Sequence, residues 1–361
     1  MIRKSTLLMV LALGTGTFFA AGQGVIQTPR VPSPAATVQQ TIGISTITVS
    51  YSRPSVKGRE IWGALVPYGW TRQTFGNGNE SPWRAGANEN TVIELSHDAT
   101  IEGKSVPAGS YGLFFVVNED NTGELVLSKD YRSWGNFWYD ATHDQMRAPI
   151  KLRSIAHQEL LTYEFINLEK NSCELVLNWE KKQFPVKIEF AVDDIVMANA
   201  VEQLKNTAGF TWQGYNSAAN YALQNKTHLE EGLKWIDQAI AQNKSFTTLN
   251  NKAGILKAMG KTTEGDAIAK EAMTVATEFE LNNYGYQLIN QQELDKAIDV
   301  FALNTQKYPK SANCWDSLGE CYALKGDKPN AIKNFKKALA LNPPENVRAN
   351  SEKYLKQLGA L

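Results

Sequence analysis

The chain has 361 residues, 43% of them hydrophobic and 20% charged, with Lys+Arg and Asp+Glu balanced at 37 each. That length exceeds one ordinary domain of ~100–200 residues and points to two. Zero net charge leaves no global field to draw the molecule onto nucleic acid or an anionic membrane surface, so no nucleic-acid partner is expected.

In chain order, the first feature is "MIRKSTLLMVLALGTGTFFAAGQG", where Arg3 and Lys4 precede an apolar run from Leu7 to Ala21 that closes on small residues. This is the pattern of a secretory signal over residues 1–22, too short and too interrupted by Gly and Thr to span a bilayer. Export to the periplasm or the cell exterior is the expectation, with no transmembrane span after cleavage near Gln23. Residues 23–41 carry Pro29, Pro32 and Pro34 among small polar residues and read as a linker.

From 42 to 192 the pattern is alternation between turns. "STITVSYS" (45–52), "NTVIELS" (90–96), "YGLFFVV" (111–117), "ELVLSK" (124–129), "LLTYEFI" (160–166), "CELVLNWE" (173–180) and "PVKIEFAV" (185–192) are short and rich in β-formers. Such spacing predicts an all-β domain, an antiparallel sandwich or barrel. Tyr131–Arg153 interrupts it and reads as a long loop with a short helix.

From Ile195 to Leu361 the period becomes helical and the segment repeats. Ala312–Glu345 places Trp315, Leu318, Gly319, Tyr322, Ala331, Phe335, Ala338 and Pro343 at the landmark positions of the tetratricopeptide pattern. Residues 278–311 follow the same frame with Leu281, Tyr284, Gly285, Leu288, Ala297, Phe301 and Pro309, departing at Asn304. Weaker units span 213–246 and 246–278, and 346–359 reads as a capping helix. Small residues let paired helices cross closely while rings fill the groove beside them, so Trp315 and Phe335 are expected in the core. This second half is an all-α tetratricopeptide-like solenoid, a fold that binds protein partners along its stacked helices.

Chemistry is harder to find. The four histidines, His97, His143, His157 and His228, show neither a two-His helical spacing nor a Cys cluster. "AGSYG" (108–112) lacks the nucleophile frame and reads as a turn entering a strand. "NEDNTGELVLSK" has Lys129 where a calcium loop needs a bidentate glutamate, so a hairpin turn is expected. Cys314 and Cys321 lie seven residues apart on one helix, about 10 Å at ~1.5 Å rise per residue, beyond disulfide reach. These two and Cys173 read as packing residues. No metal and no cofactor is expected.

Four strings in order, "YSRPSVKGREIWGALVPYG" (51–69), "WRAGANENT" (83–91), "VPAGSYGLF" (106–114) and "YDATHDQMR" (139–147), resemble an exported bacterial family known as domain-of-unknown-function 2911. The resemblance covers roughly residues 44–190. The family runs almost directly from "LVPYG" into its tryptophan-arginine motif, whereas this chain inserts "WTRQTFGNGNESP" (70–82). The resemblance implies no reaction. It implies that Arg53, Arg59, Tyr68, Trp83, Arg84, Asn88, Glu89, Asp144 and Arg147 occupy motif positions. Two accounts of them stand side by side: an internal polar network that locks the loops, with Arg84 fastening backbone carbonyls and a carboxylate, or a cleft in which Trp83 and Tyr68 stack a sugar or peptide. For the whole chain the expectation is a non-catalytic interaction or scaffold protein of the bacterial envelope. The alternative is a carbohydrate- or peptide-binding module, and a third reading is a hydrolase using Glu89 with Asp144.

Overall fold

The computed structural model describes residues 33–361, and these divide into two compact units, 33–190 and 191–361. The expected signal over 1–22 and the linker up to residue 32 lie outside the described residues.

The first unit opens with β1 (Ala35–Ile42) and β2 (Ser45–Ser52), then a small hairpin of β3 (Thr71–Arg72) and β4 (Glu80–Ser81). β5 (Val92–Leu95), β6 (Ala99–Ile101), β7 (Lys104–Val106), β8 (Gly109–Val117) and β9 (Thr122–Ser128) follow. A single 3-10 turn (Ala141–His143) leads into β10 (Asp144–Lys151), and the unit closes with the long strands β11 (Arg153–Ile166) and β12 (Ser172–Glu189).

All named pairings are antiparallel. Six strands form one sheet in the order β1-β2-β5-β8-β9-β10, and four form another in the order β11-β12-β6-β7. Tyr51 of β2 meets Tyr163 of β11 edge-on at 4.8 Å between ring centroids, and Phe115 of β8 meets Phe184 of β12 at 4.9 Å. The sheets therefore pack face to face as an open sandwich, and the barrel alternative does not apply.

β2 shows the expected alternation, with Ile47, Val49 and Tyr51 buried and the residues between them more exposed. β8 is buried at every residue from Tyr111 to Val117. Its second face is covered by Tyr139 and Trp70, which pack on Phe114 and Val126. Two covered faces explain why "YGLFFVV" reads as one apolar run.

Three sequence expectations are corrected. Residues 35–41 belong to β1 and pair with β2, not to a linker; β1 is an edge strand that buries only Ile42, so its sequence carries no apolar alternation. Residues 144–151, read as loop, form β10 against β9. The strands read separately at 173–180 and 185–192 are one, because β12 continues from Ser172 to Glu189. Glu180 instead takes a left-handed φ of 53°, and the β11–β12 register shifts between Ser154 and Gln158 and again before Thr162, so one strand bends rather than ending.

The second unit begins with α1 (Val192–Leu204) and a 3-10 turn (Thr207–Phe210). Helix pairs follow: α2 (Trp212–Asn225) with α3 (Leu229–Gln242), α4 (Phe246–Ala258) with α5 (Thr262–Val275), α6 (Glu278–Asn290) with α7 (Leu294–Lys307), and α8 (Ala312–Lys325) with α9 (Lys328–Ala340). α10 (Glu345–Gln357) ends the unit and stacks Tyr354 on Phe335 at 5.1 Å and 13°. Starts are set locally: Ser245 and Thr277 form capping boxes with Thr248 and Glu280.

Close helix crossing has the expected cause. A Cβ on Gly319 would stand 3.0 Å from the Phe335 ring, and one on Gly285 would stand 2.4 Å from Phe301 Cζ. Phe335 is fully buried, whereas Trp315 is only half-buried and donates from Nε1 to Pro309 O at 3.0 Å. Asn304, the departure from the repeat pattern, is buried and donates to Glu278 O at 3.1 Å, tying α7 to the start of α6.

Lys307 of α7 donates from Nζ to Met273 O, Thr274 O and Ala276 O at 3.2, 3.0 and 2.6 Å, which satisfies the open carbonyl end of α5. Lys307→Met is expected to lower the stability of this unit by about 1–2 kcal/mol. Lys307→Arg should retain most of it. Urea midpoints of the two variants test this, and equal midpoints would count against the cap.

Cys173, Cys314 and Cys321 are buried and free. Burial pushes the Cys173 and Cys321 thiols up to about 11 and Cys314 up to about 12. No helix among the described residues is long and apolar enough to cross a membrane.

Candidate functional site

The motif around Trp83 starts from an extended backbone. Trp83 exchanges both backbone hydrogen bonds with Phe115, N–H to O at 2.8 Å and O from N–H at 2.9 Å, which anchors it to β8. The chain then turns through left-handed residues Ala85 (φ 51°) and Asn88 (φ 62°). Asparagine tolerates such a position, and Asn88 is held in it by a long-range bond, Nδ2 donating to Ser33 O at 3.3 Å. Ala85 is held there by its carbonyl, which accepts from Thr91 Oγ1 and from Tyr163 OH, both at 3.0 Å.

Arg84 fastens this loop to a second one. Its Nη1 donates to Asn88 O at 2.8 Å, its Nη2 to Asn136 Oδ1 at 3.3 Å, and its guanidinium lies 5.0 Å from the centre of the Phe137 ring. Asn136 is buried and its Nδ2 donates to Ser81 Oγ at 3.0 Å and Pro82 O at 2.8 Å. Burial lowers the Arg84 pKa from its ordinary value. The acceptors are carbonyl oxygens, whereas the sequence reading anticipated a carboxylate as well.

A cleft of about 540 Å³ opens beside this network. Trp83 and Trp179 give it aromatic wall, Leu65 apolar wall, and Arg59, Arg84 and Asn88 polar wall. Trp83 stacks on the fully buried Trp179 at 5.8 Å and 15°, and Trp62 meets both edge-on. Arg59 donates from Nε to Val56 O at 3.1 Å and from Nη2 to Ser55 O, which folds its stem back on its own loop.

The other motif residues lie elsewhere. Arg53 donates to Leu161 O at 3.0 Å and to Thr162 Oγ1 at 2.8 Å, clamping the end of β2 to β11. Tyr68 packs its ring over Gly63, where a Cβ would stand 2.8 Å from Tyr68 Cε2, and is partly exposed outside the cleft lining. Glu89 is half-buried in the Arg84 loop and does not line the cleft.

Asp144 and Arg147 form a separate cluster. The segment read as a long loop with a short helix is a strand at these residues, and in a regular strand residues three apart point to opposite faces. The register shifts between Asp144 and Met146, and this bulge lets Arg147 Nε donate to Asp144 Oδ2 at 2.6 Å. Tyr139 OH donates to the same carboxylate at 2.7 Å, and Arg147 lies over Trp70 at 4.4 Å. Burial, together with the neighbouring Asp144 carboxylate, raises the Tyr139 pKa well above its ordinary value. Asp144 thus already holds two donors, and it does not line the cleft either.

The inserted segment 70–82 is stitched down by Asn77, whose backbone N–H donates to Phe137 O at 3.1 Å and whose Nδ2 donates to Tyr139 O at 2.8 Å. It leaves Phe75, Trp134 and Trp138 half or more exposed, with Phe75 against Trp138 at 6.2 Å. Sequence reasoning missed Gly135, Asn136 and Phe137, which complete the Arg84 network. The string "WGNFW" (134–138) carries the only signal, a Gly-Asn pair between aromatics. Among the described residues no group of three or more His, Cys, Asp or Glu is placed to hold a metal ion.

These features define an open β-sandwich with a loop-walled cleft, followed in the chain by a unit of tetratricopeptide-type helix pairs. Residues 33–188 match the family described as "Protein of unknown function (DUF2911)", and residues 312–345 match the tetratricopeptide repeat. Superkiller complex protein 3 of Mus musculus is 31% identical over 77 residues, 21% of this chain and 5% of that protein. Cellulose synthase operon protein C of Escherichia coli (strain K12) is 30% identical over 88 residues, 22% of this chain and 8% of that protein. The chain therefore spans less than a tenth of the length of these curated relatives. Among solved structures, YrrB, described as a TPR protein with an unusual peptide-binding site, is 18% identical with a TM-score of 0.27, covering 45% of this chain and 84% of that one.

Proposed function

We propose that this chain is an exported, non-catalytic interaction scaffold of the bacterial envelope whose helical repeats bind a protein partner. The observation that carries the reading is the run of helix pairs α2 to α9, whose two helices cross closely at Gly232, Gly265, Gly285 and Gly319 in turn. Such units present an extended surface of helices rather than a constellation of reactive groups. Phe279, 73% exposed in the first turn of α6, is an apolar side chain left on that surface. Export is supported by the pattern of Arg3, Lys4 and the apolar run from Leu7 to Ala21.

A photo-crosslinking residue at Phe279 and at other exposed repeat positions, in intact cells, should trap one protein reproducibly. Absence of any reproducible adduct while the chain is intact would overturn the scaffold reading. Export is checked separately: the mature chain should begin near Gln23 outside the cytoplasm, and an intact Met1 in the cytosol would refute it.

The cleft beside Trp83 favours a second reading, in which the β unit binds a small carbohydrate or peptide-like ligand. Its volume falls within the ~300–1,000 Å³ of ligand sites, and its wall mixes aromatic and polar groups.

A further inference from the structure

We infer that the cleft of the β unit takes a ring-bearing organic anion, a carboxylate or phosphate ester carried on a flat or apolar ring; this rests on the reading of that cleft as a ligand site. The first ground is the sign of its walls. Lys57, Arg59 and Arg84 line it, and among the described residues no aspartate or glutamate does. The chain as a whole is balanced at 37 cationic and 37 anionic residues, so three cations with no anion in the described lining is a local bias.

The second ground is how Arg84 is held. A charge withdrawn from water is ordinarily paired with an opposite one. Arg84 is half-buried, and its two hydrogen bonds end on the neutral oxygens Asn88 O and Asn136 Oδ1. Those bonds orient the guanidinium without cancelling its charge. Burial, with no offsetting carboxylate, lowers its pKa, as expected for a cation that lacks a counter-charge.

Glu159, beside Lys57 and Arg59, is already engaged. Glu159 accepts from the Lys57 backbone N–H at 2.9 Å and meets His157 Nε2 at 3.2 Å. Its carboxyl is held low first by that backbone bond and only lastly by the charge of Arg59. It offsets part of the rim charge at Arg59 and stands outside the cleft lining.

The third ground is the remaining wall. Trp83, backed by the buried Trp179, stands beside the exposed Leu65 and Pro67, a surface suited to a ring and not to a bare ion. Trp179 also keeps a buried Nε1–H with no acceptor among the described residues. Cation and ring surface together select one class of ligand: charge at one end, ring at the other.

The test titrates the full chain by calorimetry with three matched pairs, glucuronate and glucuronamide, benzoate and benzamide, and phenyl phosphate and phenol, plus inorganic phosphate. At least one ring-bearing anion should bind one to one, about tenfold or more tighter than its neutral partner and than inorganic phosphate. Which pair responds separates a sugar acid from an aromatic carboxylate or a phosphate ester. Lys57→Gln, which keeps the backbone bond to Glu159, should weaken that ligand several-fold, and Arg84→Gln should abolish measurable binding. If Arg84→Gln fails to fold, Lys57→Gln alone decides.

Neutral partners that bind as well as the anions would overturn the charge inference and leave the cleft reading standing. Inorganic phosphate binding as tightly as phenyl phosphate would overturn the ring requirement. Silence from all seven compounds would overturn both, and an affinity unchanged in Lys57→Gln would overturn the inference.

Discussion

Phe301→Ala is expected to destabilise the repeat unit by about 3–5 kcal/mol, the range for a large ring removed from a packed core. Phe301 is fully buried on α7, meets Tyr286 edge-on at 5.3 Å, and packs with Leu281, Leu288, Val300 and Leu318. Its ring fills the space that Gly285 leaves open on α6, so no side chain stands ready to close the cavity. For a unit of this size the loss corresponds to a fall in Tm on the order of 10 °C, read from helical circular dichroism. Phe301→Leu should cost less. Gly285→Ala should also destabilise, because overpacking costs about 1–3 kcal/mol and outweighs the ~1 kcal/mol that alanine gains as a helix former. A Phe301→Ala chain melting within about 2 °C of the parent would show that this ring does not hold the crossing.

Gly135→Ala is the corresponding change in the β unit, with an expected loss of about 2.5–5 kcal/mol. Two effects add. Gly135 has φ 62°, a left-handed conformation that costs an alanine about 1–2 kcal/mol. The new Cβ would also stand 2.4 Å from Arg84 Cζ and Nη1, so the guanidinium must leave Asn88 O and Asn136 Oδ1, bonds worth about 1.5–3 kcal/mol as charge-assisted pairs. The second effect vanishes once Arg84 is gone. In an Arg84→Ala background, Gly135→Ala should therefore cost only its backbone strain, and a double-mutant cycle should show the difference as coupling. Additivity within about 0.5 kcal/mol would mean that displacement of Arg84 is not how the substitution acts.

The repeat unit was largely legible from its residues. Gly319 with Phe335 and Gly285 with Phe301 are spaced so that a missing side chain on one helix meets a ring on the next. That local rule leaves a mark in the sequence. Strands with one solvent face, such as β2, were legible for a similar reason. β1 and β10 were not: β1 buries a single residue, and β10 carries a bulge and a proline that break its alternation. The candidate site was legible only as parts. Trp83, Arg84 and Asn88 come together, but Asn136 and Phe137 reach Arg84 from about fifty residues further along the chain. Arg53, Tyr68, Asp144 and Arg147 are drawn off into other contacts, which a linear motif cannot show. The break read between 173–180 and 185–192 is a bend at Glu180, and a left-handed residue that bends a strand has the same local chemistry as one that ends it.

The strand order has a consequence for how the chain is made. Ile101 on β6 finds its partner Ile188 only near the end of β12, so the four-stranded sheet cannot close until the whole first unit has been synthesised. Until then β6 and β7 form an isolated hairpin, and the apolar inner face of the first sheet lacks its cover. The helix pairs, by contrast, close between neighbours in sequence and acquire each partner within a few dozen residues of synthesis. The unit that emerges first is thus the slower to finish, in keeping with the cost of long-range pairing.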